Sequence, residues 1–271
     1  MPQIHPTALV DPSAELADDV IVGPGCIIEE QVRIGPGCRF GAYAIVRRYT
    51  EMGANNSVDS FAVLGGEPQD RKFDPATTSY LRIGDDNTFR ESVTISRATG
   101  EGNATVVGNR TYWMAGAHAG HNARIDDEAI LVNGSMVAGH AHIGPRVILS
   151  GSAMVHQFCW IGELVMSQGG CAASQHVPPY CLIAAENFTV GLNVVGLRRS
   201  ADISDDDIEQ IREAYALLYR RGLPLAEALS QMHAHTEWGP AAGKFREFCQ
   251  AAYDAEPPYN RGLVARRRGR R

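Results

Sequence analysis

The stretch Val20–Val46 reads VIVGPGCIIEEQVRIGPGCRFGAYAIV, and its spacing decides the fold. An apolar residue returns at every sixth position: Val22, Ile28, Ile34, Phe40 and Val46. The series starts earlier, at Ile4, Val10 and Leu16, and continues through Met52, Val58 and Leu64. Glycine follows the apolar residue at Gly23, Gly35, Gly41, Gly53 and Gly65. A second run comprises Val107, Trp113, Ala119, Ile125, Leu131, Val137, Ile143, Leu149, Val155 and Ile161. A period of six fits neither a helix nor a single alternating strand. It fits a solenoid whose coil has three short faces, each sending one side chain inward.

Two segments leave this frame. GGEPQDRKFDPATTSY, after Leu64, is polar and contains proline, so it must loop out over about residues 66–80. The hexads resume at Ile83, Phe89 and Ile95, and RATGEGNAT then breaks them again over 97–105, with Glu101 in an apolar slot. Long loops in a compact domain are more often functional than idle. The pattern fades after Ile161, where Ser167 takes the next slot, and VPPY at Val177–Tyr180 closes the coils. From Ser204 the spacing is helical: Ile208, Ile211, Tyr215 and Leu218, with Asp205, Asp206 and Asp207 in the first turn and Ser204 as cap. LPLAEALSQMHAH and AAGKFREFCQAAY read as two further helices. The organisation is a parallel β-helix over 1–190 and a C-terminal helical domain over 191–271. That domain would cover one open end of the solenoid, since an unpaired edge invites aggregation. The chain ends in Arg266, Arg267, Arg268, Arg270 and Arg271, a tail expected to be disordered. Flat outer faces suit side-by-side packing, and a homotrimer with sites between subunits is expected.

The 271 residues, 44% of them hydrophobic, suffice for one sizeable core with a smaller appendage. The net charge of -6 disfavours a general nucleic-acid or membrane-surface role. There is no apolar run of membrane-spanning length, and MPQIHPTALVDPSAEL is already in hexad phase rather than a signal peptide. Six cysteines without a CxxC pair, several among the hexads, read as reduced apolar filler in a cytoplasmic protein.

Five histidines, His118, His121, His140, His142 and His156, fall on neighbouring coils. His121 and His140 stand about one coil apart and His140 and His156 slightly less, so they can line one groove. Scattered, solvated histidines are the plain alternative. A metal site is the other, with His118 and His121 as the close pair.

The ordered motifs GGEPQDRKF, IGDDNTFRESVTISRAT, the HAGH segment, NGSMVAGH, AMVHQFCWIG, VPPY and LNVVGLRRS span nearly the whole chain. Together they resemble the UDP-N-acetylglucosamine O-acyltransferases, which begin lipid A synthesis. The resemblance implies a left-handed β-helix and transfer of a 3-hydroxyacyl group from acyl carrier protein to the sugar 3-hydroxyl, with no metal or cofactor. It implies His121 as general base, because an alcohol attacks well only once its proton is removed. It also implies Gly139 as the backbone oxyanion donor. Asp70 and Lys72 would hold the sugar and the acyl or phosphate portion. His118, His140, His156 and Gln157 would line the groove, Asn193 and Arg199 would meet the nucleotide, and Gly169 would admit a long acyl chain. The acidic carrier protein would be steered by Arg198, Arg199, Arg220, Arg221 and the terminal arginines.

The chain departs from the family pattern at several positions. Asn122 stands where an aspartate normally follows the catalytic histidine. Ser96 replaces a histidine, Ala98 a glycine, Val195 an acidic residue and Ser200 an arginine. Ser96, Val195 and Ser200 all belong to the nucleotide end, which suggests an altered acceptor. A paralogue acylating another hydroxyl or amine, and a non-catalytic carrier-protein scaffold, are the alternative functions.

Overall fold

A computed structural model describes residues 1–235 and 237–266. The arginines from Arg267 onward lie outside the described residues. Within them, each hexad folds as a two-residue strand followed by a four-residue corner. Gln3 pairs with Ile21 and Ile21 with Arg39, so one coil takes 18 residues. The strands stack in parallel into three sheets of twelve, nine and eight strands, which begin at Gln3–Ile4, Leu9–Val10 and Glu15–Leu16. The coil is a left-handed parallel β-helix. Strand–crossover–strand units normally turn right-handed, a bias that comes from strand twist. Two-residue strands are too short to accumulate that twist.

The corners explain why six residues suffice. From the second coil onward, the third residue after most inward side chains adopts positive φ: Gln31 at 55°, Asn55 at 57°, His140 at 60° and Phe158 at 64°. That conformation costs a residue other than glycine about 1–2 kcal/mol. The ladders on both sides of each corner over-determine it. The fourth residue then turns inward and is small: Cys26, Cys38, Ala44, Ala62, Ala117, Ala123, Ala141 and Cys159 are all buried. Cys171 follows buried Ser167 in the same way, so four of the six cysteines fill corners, and all six are free and buried.

The two loops occupy 67–79 and 97–103, between Val63–Gly66 and Tyr80–Ile83 and between Thr94–Ser96 and Ala104–Val107. Pairing steps 31 residues from Val58 to Phe89 and 24 from Phe89 to Trp113, against 18 in the other coils and 16 in the last, from Met166 to Leu182. Each insertion thus leaves and re-enters without shifting the inward register. Buried Arg97 ties the first loop down, donating to the carbonyls of Thr77 and Pro75 at 2.8 and 3.4 Å and lying over the Phe73 and Tyr49 rings. Glu101 accepts from the Thr78 N–H at 3.0 Å, joining one loop to the other.

The coils run past VPPY. Ser167 stays in frame, buried, its hydroxyl accepting from the Ser150 N–H at 2.8 Å. Cys181–Ile183 continues the first sheet, and Phe188–Leu192 returns antiparallel to it. Four helices follow: α1 (Val194–Arg199), α2 (Asp205–Tyr219), α3 (Leu225–Ala234) and α4 (Pro240–Asp254). Ser204 and Asp207 form a reciprocal capping box on α2. The chain then re-enters the β-helix, with Ala265–Arg266 pairing beside Phe188–Thr189. Arg266 is therefore a strand residue. Buried Glu163 meets Arg146 and, at 2.8 Å, Lys244 of α4, and Arg146 also meets Asp202 at 2.6 Å. The β-helix and the helices are thus joined by a compensated charge cluster.

His176 fixes the returning segment. Its Nδ1 accepts from the Trp160 N–H at 2.9 Å and its Nε2 donates to the Tyr259 carbonyl at 2.7 Å, so the ring must be neutral. Its backbone bonds Gly262 and Val264. Burial lowers its proton affinity below the ordinary 6.5, and burial does the same to His118 and His140. Below 6.5 the unfolded chain takes up these protons before the folded one does, so stability is complete above that value and is lost as pH falls through it. The melting temperature should hold from about pH 8 to the ordinary histidine value and decline toward about pH 5, more shallowly in His176→Gln. A flat profile, or one unchanged by the substitution, would refute the assignment.

Candidate active site

An 18-residue coil sorts residues into vertical columns, and the site is built from two of them. On the outer face of the second sheet, His118, Met136, Met154 and Ala172 stack in register. At the adjoining corner stand Gly120 and His121, then Ala138 and Gly139, then His156 and Gln157, with Ser174 below. These line one open groove of about 540 Å³, joined by Gln69 from the first loop and by Glu186. One lane is thus apolar, running over two methionines and an alanine, and the parallel lane is polar. Such a surface fits a ligand with a hydrocarbon part and a polar part lying side by side.

The spacings place the histidines in adjacent columns rather than one. His121 stacks over Gly139, 18 residues on. His140, offset by one, stacks beneath Asn122 in the positive-φ column. Its ring meets His121 edge-on at 5.2 Å and Phe158 face-on at 4.8 Å. His142 belongs to the third sheet and binds Asp126 at 2.7 Å, away from the groove. No group of three His, Cys, Asp or Glu among the described residues could hold a metal ion.

The His121 tautomer follows from its neighbours. The Thr99 N–H and hydroxyl reach Asn122 Oδ1 at 2.9 and 2.8 Å, and Asn122 Nδ2 donates to the Thr99 carbonyl at 3.1 Å. An N–H can only donate and a carbonyl only accept, so the amide orientation is set. His121 Nδ1 lies 2.9 Å from Oδ1 and must carry the hydrogen. That leaves a lone pair on Nε2, as a general base requires. The ring needs the space beside Gly139, where a Cβ would sit 3.0 Å from both Cε1 and Nε2.

Gly139 has a second qualification. At several other corners, the N–H of the residue two places after the inward side chain is taken by a side-chain oxygen. Arg48 donates to Glu29 at 3.1 Å, Ala54 to Asp85 at 2.7 Å and Asn109 to Asp127 at 2.9 Å. Gly139 occupies the same corner position, and no described protein group takes its N–H. The fold therefore repeats an anion-accepting donor, and it is left open beside the base.

A family model described as UDP N-acetylglucosamine O-acyltransferase, domain 2, matches residues 176–264. The acyl-[acyl-carrier-protein]–UDP-N-acetylglucosamine O-acyltransferase of Janthinobacterium sp. is 40% identical over 259 residues, covering 93% of this chain and 98% of its own. The chain belongs to that acyltransferase family. The Stenotrophomonas maltophilia (strain R551-3) relative of the same name is 40% identical over 85% of this chain and 88% of its own. The crystal structure of the Moraxella catarrhalis UDP-N-acetylglucosamine O-acyltransferase superposes with a TM-score of 0.89 at 36% identity, covering 96% of this chain and 99% of that one.

Within one chain of this acyltransferase, not every residue that the motifs single out reaches the groove. His118, His121, Gly139, His156 and Gln157 line it, and His118 Nδ1 is bound to the Thr94 hydroxyl at 2.8 Å. Asp70 accepts from the Lys72 N–H at 2.9 Å, and its charge reaches His140 from the first loop. The Lys72 side chain is exposed. Asn193 is buried as the cap of α1, accepting from the Gly196 N–H and donating to the Leu164 carbonyl. Arg199 is exposed in the last turn of α1, next to Ser200, whose hydroxyl donates to the Gly196 carbonyl. Gly169 lies at a different corner, beneath Gly151, whose carbonyl oxygen is 3.4 Å from where its Cβ would be. Ser96 is buried where its strand enters the second loop, directly before Arg97, and Val195 is exposed on α1.

Gln69, Met136, Met154, Ser174, Glu186 and Thr99 are additions that the motifs do not single out. Met136 and Met154 are reachable by counting coils outward from His118. Ser174 is likewise one coil on from His156, whereas nothing in the sequence signals Glu186.

The Asn122 geometry generates a test. Asn122→Leu should lower turnover about a hundredfold, the range of a mispositioned general base, with little change in Michaelis constants. Asn122→Asp retains the Nδ1–H bond and adds charge beside the ring, so turnover should rise. Its second oxygen would face the Thr99 carbonyl, so the melting temperature should fall. Equal turnover in all three proteins would show that Asn122 does not orient the base.

Proposed function

We propose that the protein transfers a 3-hydroxyacyl group from acyl carrier protein to the 3-hydroxyl of UDP-N-acetylglucosamine, the first acylation of lipid A synthesis. The observation that carries this is a base with a defined tautomer and an unoccupied N–H one coil away, at the head of a two-lane groove. The acceptor hydroxyl gives its proton to His121 Nε2, and its oxygen attacks the thioester carbonyl. The resulting oxyanion faces the Gly139 N–H. The C–S bond then breaks, and the proton passes from His121 to the departing thiolate. Met136, Met154 and Ala172 form an apolar floor suited to the acyl chain. Gln69 and Asp70 bring polar groups from the first loop toward the acceptor.

In this reading the protein works in the cytoplasm, where six free, buried cysteines remain reduced; no described helix is long and apolar enough to cross a membrane. The groove lies open on the face of one sheet, with Met136 and Met154 each 44% exposed. A homotrimer would cover those side chains with a neighbouring subunit.

Incubation with 3-hydroxyacyl carrier proteins of several chain lengths and a panel of nucleotide sugars, read by mass spectrometry, tests the reaction. Acylated UDP-N-acetylglucosamine is expected, and His121→Ala should remove at least a hundredfold of turnover while nucleotide affinity stays within a few-fold. Product only with another sugar would move the assignment to a paralogue with a different acceptor. A His121→Ala protein that keeps most activity would end the mechanism.

Arg198, Arg199 and Arg220 are the candidate docking cations for an acidic carrier protein. Arg221 pairs with Glu213, whereas Arg198, Arg199 and Arg220, the last lying over the Tyr215 ring, are exposed with no ion-pair partner among the described residues. The donor Michaelis constant should rise with ionic strength. It should rise further in the Arg198→Glu, Arg199→Glu double variant. A salt-independent constant would exclude electrostatic steering.

A further inference from the structure

The segment that returns from α4 does more than close the chain. Tyr259 stacks on Trp160 at 5.7 Å and meets Phe158 edge-on at 5.4 Å. Buried His176 holds the segment at Tyr259, Gly262 and Val264. Pinned on both sides, Arg261 extends to the polar lane of the groove. Its Nε donates to the Ser174 carbonyl at 3.3 Å, and its Nη2 lies 3.1 Å from His156 Nδ1.

His156 Nδ1 therefore has two candidate partners. The Gln157 carbonyl is also 3.1 Å away and could only accept a hydrogen from it. The Arg261 guanidinium could only donate one. Both cannot be satisfied by the same ring. A charge-assisted bond is the stronger of the two, and a hydrogen on Nδ1 would face the cationic donor head-on.

We propose that Arg261 is a positioning residue of the groove: by occupying the Nδ1 lone pair, it fixes His156 with its hydrogen on Nε2, where the ring serves as a donor to an acceptor oxygen of the bound substrate. The substrate groups that suit this donor are a carbonyl or a phosphate oxygen lying one coil beyond Gly139, about 4.8 Å along the groove. His156 and His121 then carry opposite tautomers by construction. His121 has its hydrogen on Nδ1, set by an amide oxygen, and presents a lone pair. His156 has its hydrogen on Nε2, set by a guanidinium, and presents a donor. The inference rests on the acyltransferase reading only in that the groove takes substrate.

Ring-nitrogen NMR of 15N-histidine-labelled full-length protein without ligand tests the tautomer directly, with the His156 signals assigned by their loss in His156→Ala. The unmodified protein should show the Nε2–H form. In Arg261→Met the Gln157 carbonyl becomes the sole partner, and the signals should move to the Nδ1–H form. Arg261→Lys keeps a cationic donor and should largely restore the first pattern. In turnover of UDP-N-acetylglucosamine with 3-hydroxyacyl carrier protein, Arg261→Met should lower kcat/KM about tenfold, the low end for losing a hydrogen bond to a charged group. The same change made in a His156→Ala background should cost nothing further. An Nδ1–H form in the unmodified protein, or no tautomer change in Arg261→Met, overturns the proposal. So does an equal loss in both backgrounds, which would mark Arg261 as a mere staple of the C-terminal segment. If the unmodified protein acylates no nucleotide sugar, the functional reading fails while the NMR arm still decides the tautomer.

Discussion

Each strand of the coils finds its hydrogen-bond partner one coil away, and the parallel ladder that results constrains everything else. With strands of two residues, no ladder segment is stable by itself. Cohesion comes from vertical stacking, so the coil length must stay constant. The corners must therefore repeat, with a residue at positive φ followed by a small inward side chain. Large residues such as Tyr43, Phe61 and Phe158 accept the positive φ because the ladders on either side leave the corner no other geometry. Where the chain inserts a loop, it rejoins at Tyr80 and Ala104 without loss of frame. The loops can carry chemistry because the ladder does not depend on them.

The same constancy builds the active site. A column one coil tall places His121 over Gly139 and leaves an open N–H beside an imidazole of fixed tautomer. The second loop supplies Thr99, which clamps the Asn122 amide and through it the imidazole. An aspartate in that place would add charge; Asn122 instead orients the imidazole with a neutral side chain whose two ends are each matched to a backbone group. Preorganisation of this kind stabilises charge at the moment it forms without reorganising the site.

The C-terminal part belongs to the same machine. Its helices are joined to the coils through the Glu163 charge cluster, which is buried yet satisfied by Arg146 and Lys244. Breaking one partner of such a cluster strands a charge and is strongly destabilising. The returning segment re-enters the first sheet and sets Arg261 against the groove. An element that reads as a helical appendage thus contributes to both the edge of the solenoid and the polar lane of the site.

The hexad period by itself determined the β-helix, the frame of its core and the two ejected loops, because inward positions depend only on local spacing. The ordered motifs, rather than the period, made the likeness to the acyltransferases legible, and with it the candidacy of His121 and Gly139. What the sequence left open depends on contacts between residues far apart in the chain. The histidine spacings differ from the coil length by one or two residues, so only the stacked structure separates His121 from His140 and removes His142 to another sheet. Asn193 carries a polar side chain that the motif assigns to a ligand; in the structure its amide oxygen caps α1 and its amide nitrogen donates to the Leu164 carbonyl. Thr99, Glu186 and Arg261 carry no periodic signal. Their roles were decided by the tertiary structure alone, because a hydrogen bond across 105 residues, as between His156 and Arg261, leaves no trace in local sequence.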